Sequence, residues 1–208
     1  MSEWRKVPIG ELCDSISDTY SRKDAEVILI NTSDILDGKI LNHVKTLNKN
    51  LKGQFKKTFK KNDILYSEIR PANKRFAFVE IEDTSFYIAS TKLMVIRPKI
   101  DVVEPRYLYA LLKSKQMIDE LQHLAESRSG TFPQITFNSE LATKVINLPT
   151  QVIQKKIISI LDAIEEKIDK NLQINDNLPP LQKRKYHHKM KCGGNEKIAK
   201  RFLSLWVA

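Results

Sequence analysis

Asn147-Leu-Pro-Thr-Gln-Val-Ile-Gln-Lys-Lys-Ile-Ile-Ser-Ile-Leu-Asp-Ala-Ile-Glu-Glu-Lys-Ile-Asp-Lys-Asn171 decides how this chain is read. A short apolar strand pattern, Lys144-Val-Ile-Asn-Leu148, stops at Pro149, and a long helical pattern starts at once. Thr150 is placed to cap that helix through its hydroxyl, and Pro179-Pro180 ends the pattern just after Leu178. At 1.5 Å per residue such a helix runs about 40 Å. Ile157, Leu161, Ile164, Ile168, Asn171, Asn175 and Leu178 recur at alternating steps of four and three residues, which is a heptad seam with polar positions at its far end. Polar seam residues weaken a helix pair but fix its register and partner. The seam predicts a partner helix. The competing reading is an amphipathic helix lying on its own domain.

Working outward, the first 149 residues mix strand and helix signals. Val7-Pro-Ile-Gly-Glu-Leu12 reads as a lead-in segment, and Val27-Ile-Leu-Ile30 as a short apolar strand. Asp37-Gly38 marks a turn before Lys39-Ile-Leu41. Asp63-Ile-Leu-Tyr-Ser67 is strand-like. Arg75-Phe-Ala-Phe-Val-Glu-Ile-Glu82 alternates, with Phe76 and Phe78 on one side, and Lys92-Leu-Met-Val-Ile-Arg97 is a strand halted by Pro98. A helix is predicted from Pro105, with Leu108, Leu111, Leu112, Ile118, Leu121 and Leu124 or Ala125 on its apolar face. The pattern is that of an α+β chain: a compact mixed α/β domain over 1–149, a coiled-coil-type helix over 150–178, and a basic tail over 179–208. The tail reads as disordered or nucleic-acid-contacting, and ends in a run that can form a short helix.

The net charge is +10. An excess of that size points first to nucleic acid and second to a membrane surface. No apolar run reaches the ~18 residues of a membrane helix, and the opening Met-Ser-Glu-Trp lacks a signal-peptide core. The expectation is a cytoplasmic protein. Cys13 and Cys192 form no Cys-x-x-Cys pair, so they read as reduced thiols and not as zinc ligands.

Two segments carry the side chains a nucleic-acid reader needs. Lys56, Lys57, Lys60, Lys61, Arg70, Lys74 and Arg75 crowd one region, with Phe55, Phe59, Tyr66 and Phe76 interleaved. Lysines neutralise phosphates and release counterions, and arginine's rigid fork can also read guanine edges. Ser127-Arg-Ser-Gly-Thr-Phe-Pro-Gln-Ile135 is the second segment. In it, Arg128 and Gln134 suit base edges, while Ser129 and Thr131 suit phosphates. The plain alternatives are a solvated basic loop and an ordinary connection.

Chemistry of catalysis finds little foothold. His43, His123, His187 and His188 have no partner at a recognisable spacing, and there is no G-x-G-x-x-G or P-loop. No cofactor or metal is implied. Asn147-Leu-Pro-Thr150 is a poor match to the Asn/Asp-Pro-Pro-aromatic motif of amino-methyltransferases, and Glu80-Ile-Glu82 lacks the lysine of the common metal nucleases. A small nuclease or methyltransferase with unrecognised motifs is the alternative class.

The order of several weak motifs resembles the specificity (S) subunits of type I restriction–modification systems. Trp4-Arg-Lys-Val-Pro-Ile-Gly-Glu-Leu12 is similar to the family's opening. Lys61-Asn-Asp-Ile-Leu-Tyr-Ser-Glu-Ile-Arg-Pro71 is similar to its Gly-Asp-Ile-Leu segment, with Asn62 in place of glycine. Ala89-Ser-Thr-Lys-Leu-Met-Val-Ile-Arg-Pro98, Pro105-Arg-Tyr-Leu-Tyr-Ala-Leu-Leu112 and the Leu-Pro…Gln-x-x-Ile…Leu-Asp junction of 147–162 follow in the family's order. The resemblance spans about residues 4–178. It implies a non-catalytic DNA target-recognition domain that binds half of an interrupted double-stranded site, followed by a spacer helix. The implied partners are methyltransferase (modification) subunits and a restriction subunit. A family member with two recognition domains has about twice this length, so this chain reads as a half-subunit working as a homodimer through the spacer helix, or as a truncated product.

Overall fold

The computed structural model describes residues 4–49, 51 and 53–177. Leu178, Pro179-Pro180, Cys192 and the whole of the expected tail lie outside the described residues. In chain order the strands are β1 (Trp4–Pro8), β2 (Cys13–Ile16), β3 (Glu26–Ile30), β4 (Ile35–Leu36), β5 (Lys39–Ile40), β6 (Lys45–Leu47), β7 (Phe55–Lys57), β8 (Ile64–Ser67), β9 (Phe76–Phe78), β10 (Tyr87–Ser90), β11 (Leu93–Pro98) and β12 (Val145–Pro149). The α-helices are α1 (Ile9–Leu12), α2 (Pro105–Leu112), α3 (Lys115–Arg128) and α4 (Gln151–Asp176).

An antiparallel sheet ordered β2-β11-β8-β9 forms the middle layer. Side chains alternate across a strand, and this sheet uses both faces. Ile64, Tyr66, Phe76, Met94 and Ile96 join one core with the buried residues of α2 and α3. Leu65, Ala77, Leu93 and Val95 join a second core with Ile28, Ile30 and Ala89 of a sheet ordered β6-β3-β10-β7. A strand buried on both faces reads as a continuous apolar run, which is why Ile64-Leu-Tyr-Ser67 shows no polar alternation. The turn entering β8 places Asn62 at φ 69°. That left-handed conformation suits glycine first and asparagine next, which explains why Asn62 can stand where the resembled family has glycine.

The structure bears out the expected strands at 27–30, 63–67, 92–97 and 144–148 to within a residue or two, and the expected turn at Asp37-Gly38, which joins β4 to β5. Elsewhere it corrects the expectation. The lead-in segment is strand β1 followed by the single turn α1, and β1 pairs antiparallel with β12 from Trp4↔Pro149 to Pro8↔Val145. The alternating run 75–82 is a strand only over Phe76–Phe78, although both phenylalanines do sit against Tyr109, at centroid distances of 6.2 and 5.5 Å. The helix from Pro105 is two helices. Ser114 interrupts it, and its hydroxyl accepts the Met117 amide at 3.2 Å as the N-cap of α3. A serine that bonds its own backbone competes with a continuing helix. Thr150 makes no side-chain cap on α4. Burial pushes the Cys13 thiol up to about 12, so it stays protonated and inert.

The start of α4 is fastened to the domain. Gln154, fully buried, accepts the Glu104 amide at 2.8 Å and donates to the Pro149 carbonyl at 2.8 Å. One side chain thereby joins the start of α2, the end of β12 and the first turn of α4. Arg106 reaches Asp162 at 2.9 Å and Lys113 reaches Glu165 at 2.5 Å. Ile158 is part of the helix-side core, and the seam residues Ile157 and Leu161 pack against it. The first turns of the helix thus lie on their own domain, as the competing reading had it. Farther on, Ile164, Ile168 and Asn171 are half-buried and belong to neither core, while Asn175 is buried.

Candidate nucleic-acid interface

The two segments singled out in the sequence meet in space. After β8 the chain turns at Ser67, whose hydroxyl accepts the Ile69 amide at 3.0 Å. It then runs antiparallel to the segment that follows α3. The Arg70 amide donates to the Pro133 carbonyl at 3.1 Å, the Ile135 amide donates to Glu68 at 2.8 Å, and Ile69 bridges Gln134. Arg70 also points a guanidinium nitrogen at the Thr131 carbonyl, 3.5 Å away. A 3-10 turn, Pro71–Asn73, follows, and the Gln122 side chain of α3 holds it by accepting the Ala72 amide at 3.0 Å. Arg70 and Lys74 flank that turn at φ 45° and 52°. Left-handed conformations at such residues cost on the order of 1–3 kcal/mol each and persist only where the surroundings fix them. Both side chains are exposed.

Lys92 is the site residue that sequence reasoning missed. Its carbonyl accepts the Glu68 amide at 3.0 Å. Its ammonium lies 3.4 Å from Gln134 Oε1 and 3.6 Å from Glu68. An ammonium can only donate, so the Gln134 carboxamide has one orientation, with its NH2 turned away from Lys92. Nothing local announces this role: Lys92 sits 42 residues from Gln134 in a stretch that reads as the start of a strand.

The other predicted residues are distributed less simply. Three of the cations are engaged by partners of the domain itself, Lys57 and Arg75 partly buried and Arg128 at the surface. Lys57 donates to the Leu93 carbonyl at 2.8 Å, and burial lowers its ammonium below the usual lysine range. Arg75 donates to the carbonyls of Ser33 and Ile35 at 3.1 and 3.0 Å and so holds β4 in place. Arg128 pairs with Glu140 at 2.5 Å. Glu140 is only 8% exposed and also accepts the Thr136 amide at 2.6 Å, so this pair closes the base of the 129–136 loop. Ser129 accepts the Phe132 amide at 3.2 Å and shapes the tip of the same loop. Lys56 and Lys60 are exposed, and Lys61 pairs with Glu82. Lys60 and Lys61 precede β8 whereas Arg70 and Lys74 follow it, so they lie near opposite ends of that strand, roughly 13 Å apart along it. Lys74 is 3.9 Å from Asp37.

The joined surface therefore offers Arg70, Lys74, Lys92 and Gln134 on a backbone held by hydrogen bonds from three directions. Fixed forks and amides of this kind suit base edges, and the neighbouring ammonium groups suit phosphates. Among the described residues, no helix is long and apolar enough to cross a membrane.

Comparison with known proteins agrees with this architecture. The sequence profile of the type I restriction modification DNA specificity domain matches residues 1–179. The specificity subunit of the type I restriction enzyme HindI from Haemophilus influenzae is 43% identical over 183 residues, which is 87% of this chain and 39% of that protein. The crystal structure of an HsdS subunit from Thermoanaerobacter tengcongensis aligns with a TM-score of 0.71 at 25% identity, over 85% of this chain and 45% of that one. A chain from a structure of the type I R-M system shares the fold, with a TM-score of 0.69 at 24% identity over 85% of this chain and 45% of its own length. The chain thus spans less than half the length of these relatives. With a profile covering most of its length and a curated relative at 43% identity, it belongs to the type I restriction–modification DNA specificity family.

Proposed function

We propose that this chain is a sequence-reading DNA-binding subunit that recognises one half of a bipartite site in double-stranded DNA and performs no base chemistry itself. The observation that carries this reading is the hydrogen-bonded union of residues 67–75 with 129–135, which gathers Arg70, Lys74, Lys92 and Gln134 on one surface. In this reading Arg70 and Gln134 contact base edges, while Lys56, Lys60, Lys61, Lys74 and Lys92 contact phosphates. Arg75 and Lys57 support the surface from within, and Arg128 braces the 129–136 loop through Glu140. The outer part of α4, where the half-buried Ile164, Ile168 and Asn171 belong to neither core, pairs with the equivalent helix of a second copy or of a second recognition unit. Methyltransferase subunits, and through them a restriction subunit, dock on the assembled pair. The setting is the cytoplasm, where such a complex meets DNA.

The test is a salt titration of duplex binding by the parent and by the Arg70→Gln/Lys74→Gln variant. Both substitutions fall on exposed side chains, so the fold persists. The variant should bind about 100-fold more weakly, and its slope of log affinity against log salt should be shallower by roughly 1 to 2. Equal affinity and slope for the two proteins would remove this surface from DNA recognition.

A further inference from the structure

Phe132 stands out from its surroundings. It is 48% exposed at the tip of the 129–136 loop, between Thr131 and the buried Pro133, and Gly130, two residues before it, borders open space. The ring sits on a cationic polar surface and belongs to neither core. Its position is fixed all the same. The Phe132 amide donates to Ser129 Oγ, and the carbonyl of the preceding Thr131 receives the Arg70 guanidinium. The Arg128–Glu140 pair closes the loop behind it.

Burial alternates along this stretch: Pro133 and Ile135 point inward, while Phe132, Gln134 and Thr136 point outward or lie at the surface. Residues two apart on such a segment are separated by about 6.6 Å, close to two base-pair steps of about 3.4 Å. The polar neighbours on either side, Arg70 and Gln134, are the side chains whose forks match guanine and adenine in the major groove. The apolar feature of that groove is the thymine C5-methyl group.

We propose that Phe132 is a specificity-determining residue that contacts the methyl group of a thymine about two base pairs from the position read by Gln134. This rests on the DNA-reading function proposed above and adds a base preference to it. Gln134 supports the register because Lys92 fixes its carboxamide with the NH2 free to donate.

The test uses the full chain and pools of random duplexes, comparing parent, Phe132→Ala, Phe132→Leu and Arg70→Gln/Lys74→Gln. The bound parent pool should be enriched in thymine at one position where the Phe132→Ala pool is not, with the other positions unchanged. On the selected duplex, Phe132→Ala should lose roughly tenfold in affinity, and Phe132→Leu should lose less. Replacing that thymine by uracil should weaken parent binding and leave Phe132→Ala binding unaltered. If Arg70→Gln/Lys74→Gln abolishes selection while Phe132→Ala keeps every base preference and the full response to uracil, the Phe132 assignment is wrong and the DNA-reading surface stands. If Arg70→Gln/Lys74→Gln selects the same sequences as the parent with the same affinity, the surface itself is wrong and the Phe132 assignment falls with it.

Discussion

Replacing Gln154 by alanine is expected to destabilise the folded chain by about 3 kcal/mol, because it strips hydrogen-bond partners from two backbone groups at once. The Glu104 amide and the Pro149 carbonyl both depend on this one carboxamide, and it is fully buried. For a chain of this size that loss lowers the thermal midpoint by roughly 6–12 °C. Gln154→Met separates hydrogen bonding from packing. It keeps most of the volume and should lose nearly as much as alanine. A methionine variant within about 0.5 kcal/mol of the parent, the range of neutral surface changes, would show that the carboxamide is not what joins the helix to the domain. The residue also has a geometric consequence. Since it ties the ends of two elements to the first turn of α4, its loss should loosen the angle at which the helix leaves the domain.

Replacing Asp63 by alanine should have an effect of similar size for a different reason. Asp63 is 1% exposed and receives Arg97 in a two-pronged contact at 2.8 and 2.7 Å, together with the Lys60 amide at 2.7 Å. The hydrogen bonds to this carboxylate hold the Arg97 guanidinium pKa above its ordinary value. Removing one partner of a buried pair strands the other and typically costs 3–5 kcal/mol. Arg97 keeps some contact with solvent, so about 3 kcal/mol is expected. The double variant Asp63→Leu/Arg97→Met should recover a large part of that loss, because an apolar pair needs no desolvation. Urea unfolding of the parent, the single and the double variants measures this. A single variant as stable as the parent would mean that the pair is solvated and contributes little.

Much of this architecture was legible in the sequence because local signals coincided with tertiary ones. The strand at Ile64–Ser67 announced itself as an apolar run, and Pro149 marked the boundary between β12 and α4. The Gln-x-x-Ile step of the helix junction proved to be Gln154 and Ile157, one bridging buried backbone groups and the other packing on the core. The misses have two causes. The short strands β2, β6 and β7 each hold three exposed or half-buried positions, so they have no periodicity to find. Ser114 broke a helix whose apolar spacing ran straight through it, since capping chemistry overrode propensity there.

The site divides in the same way. Basic and amide-bearing residues were visible by type, but not the direction their side chains take. Arg75, Arg128 and Lys57 carry the right chemistry and spend it on carbonyls and a carboxylate of the domain itself. Lys92 joins Gln134 only because the β10–β11 turn and the stretch after β8 lie side by side. Contacts of this kind depend on register between distant segments, which one sequence does not encode locally.

The most direct test of the central claim is selection of random-sequence duplexes by the purified chain, alone and with methyltransferase subunits, followed by sequencing of what is retained. The two-fold symmetry of a helix-paired dimer requires equal half-sites at one fixed separation. The reading predicts a pool enriched in such an interrupted repeat, with each half lost when Arg70 and Lys74 are replaced by glutamine. A pool with no enriched half-site in either condition would contradict it.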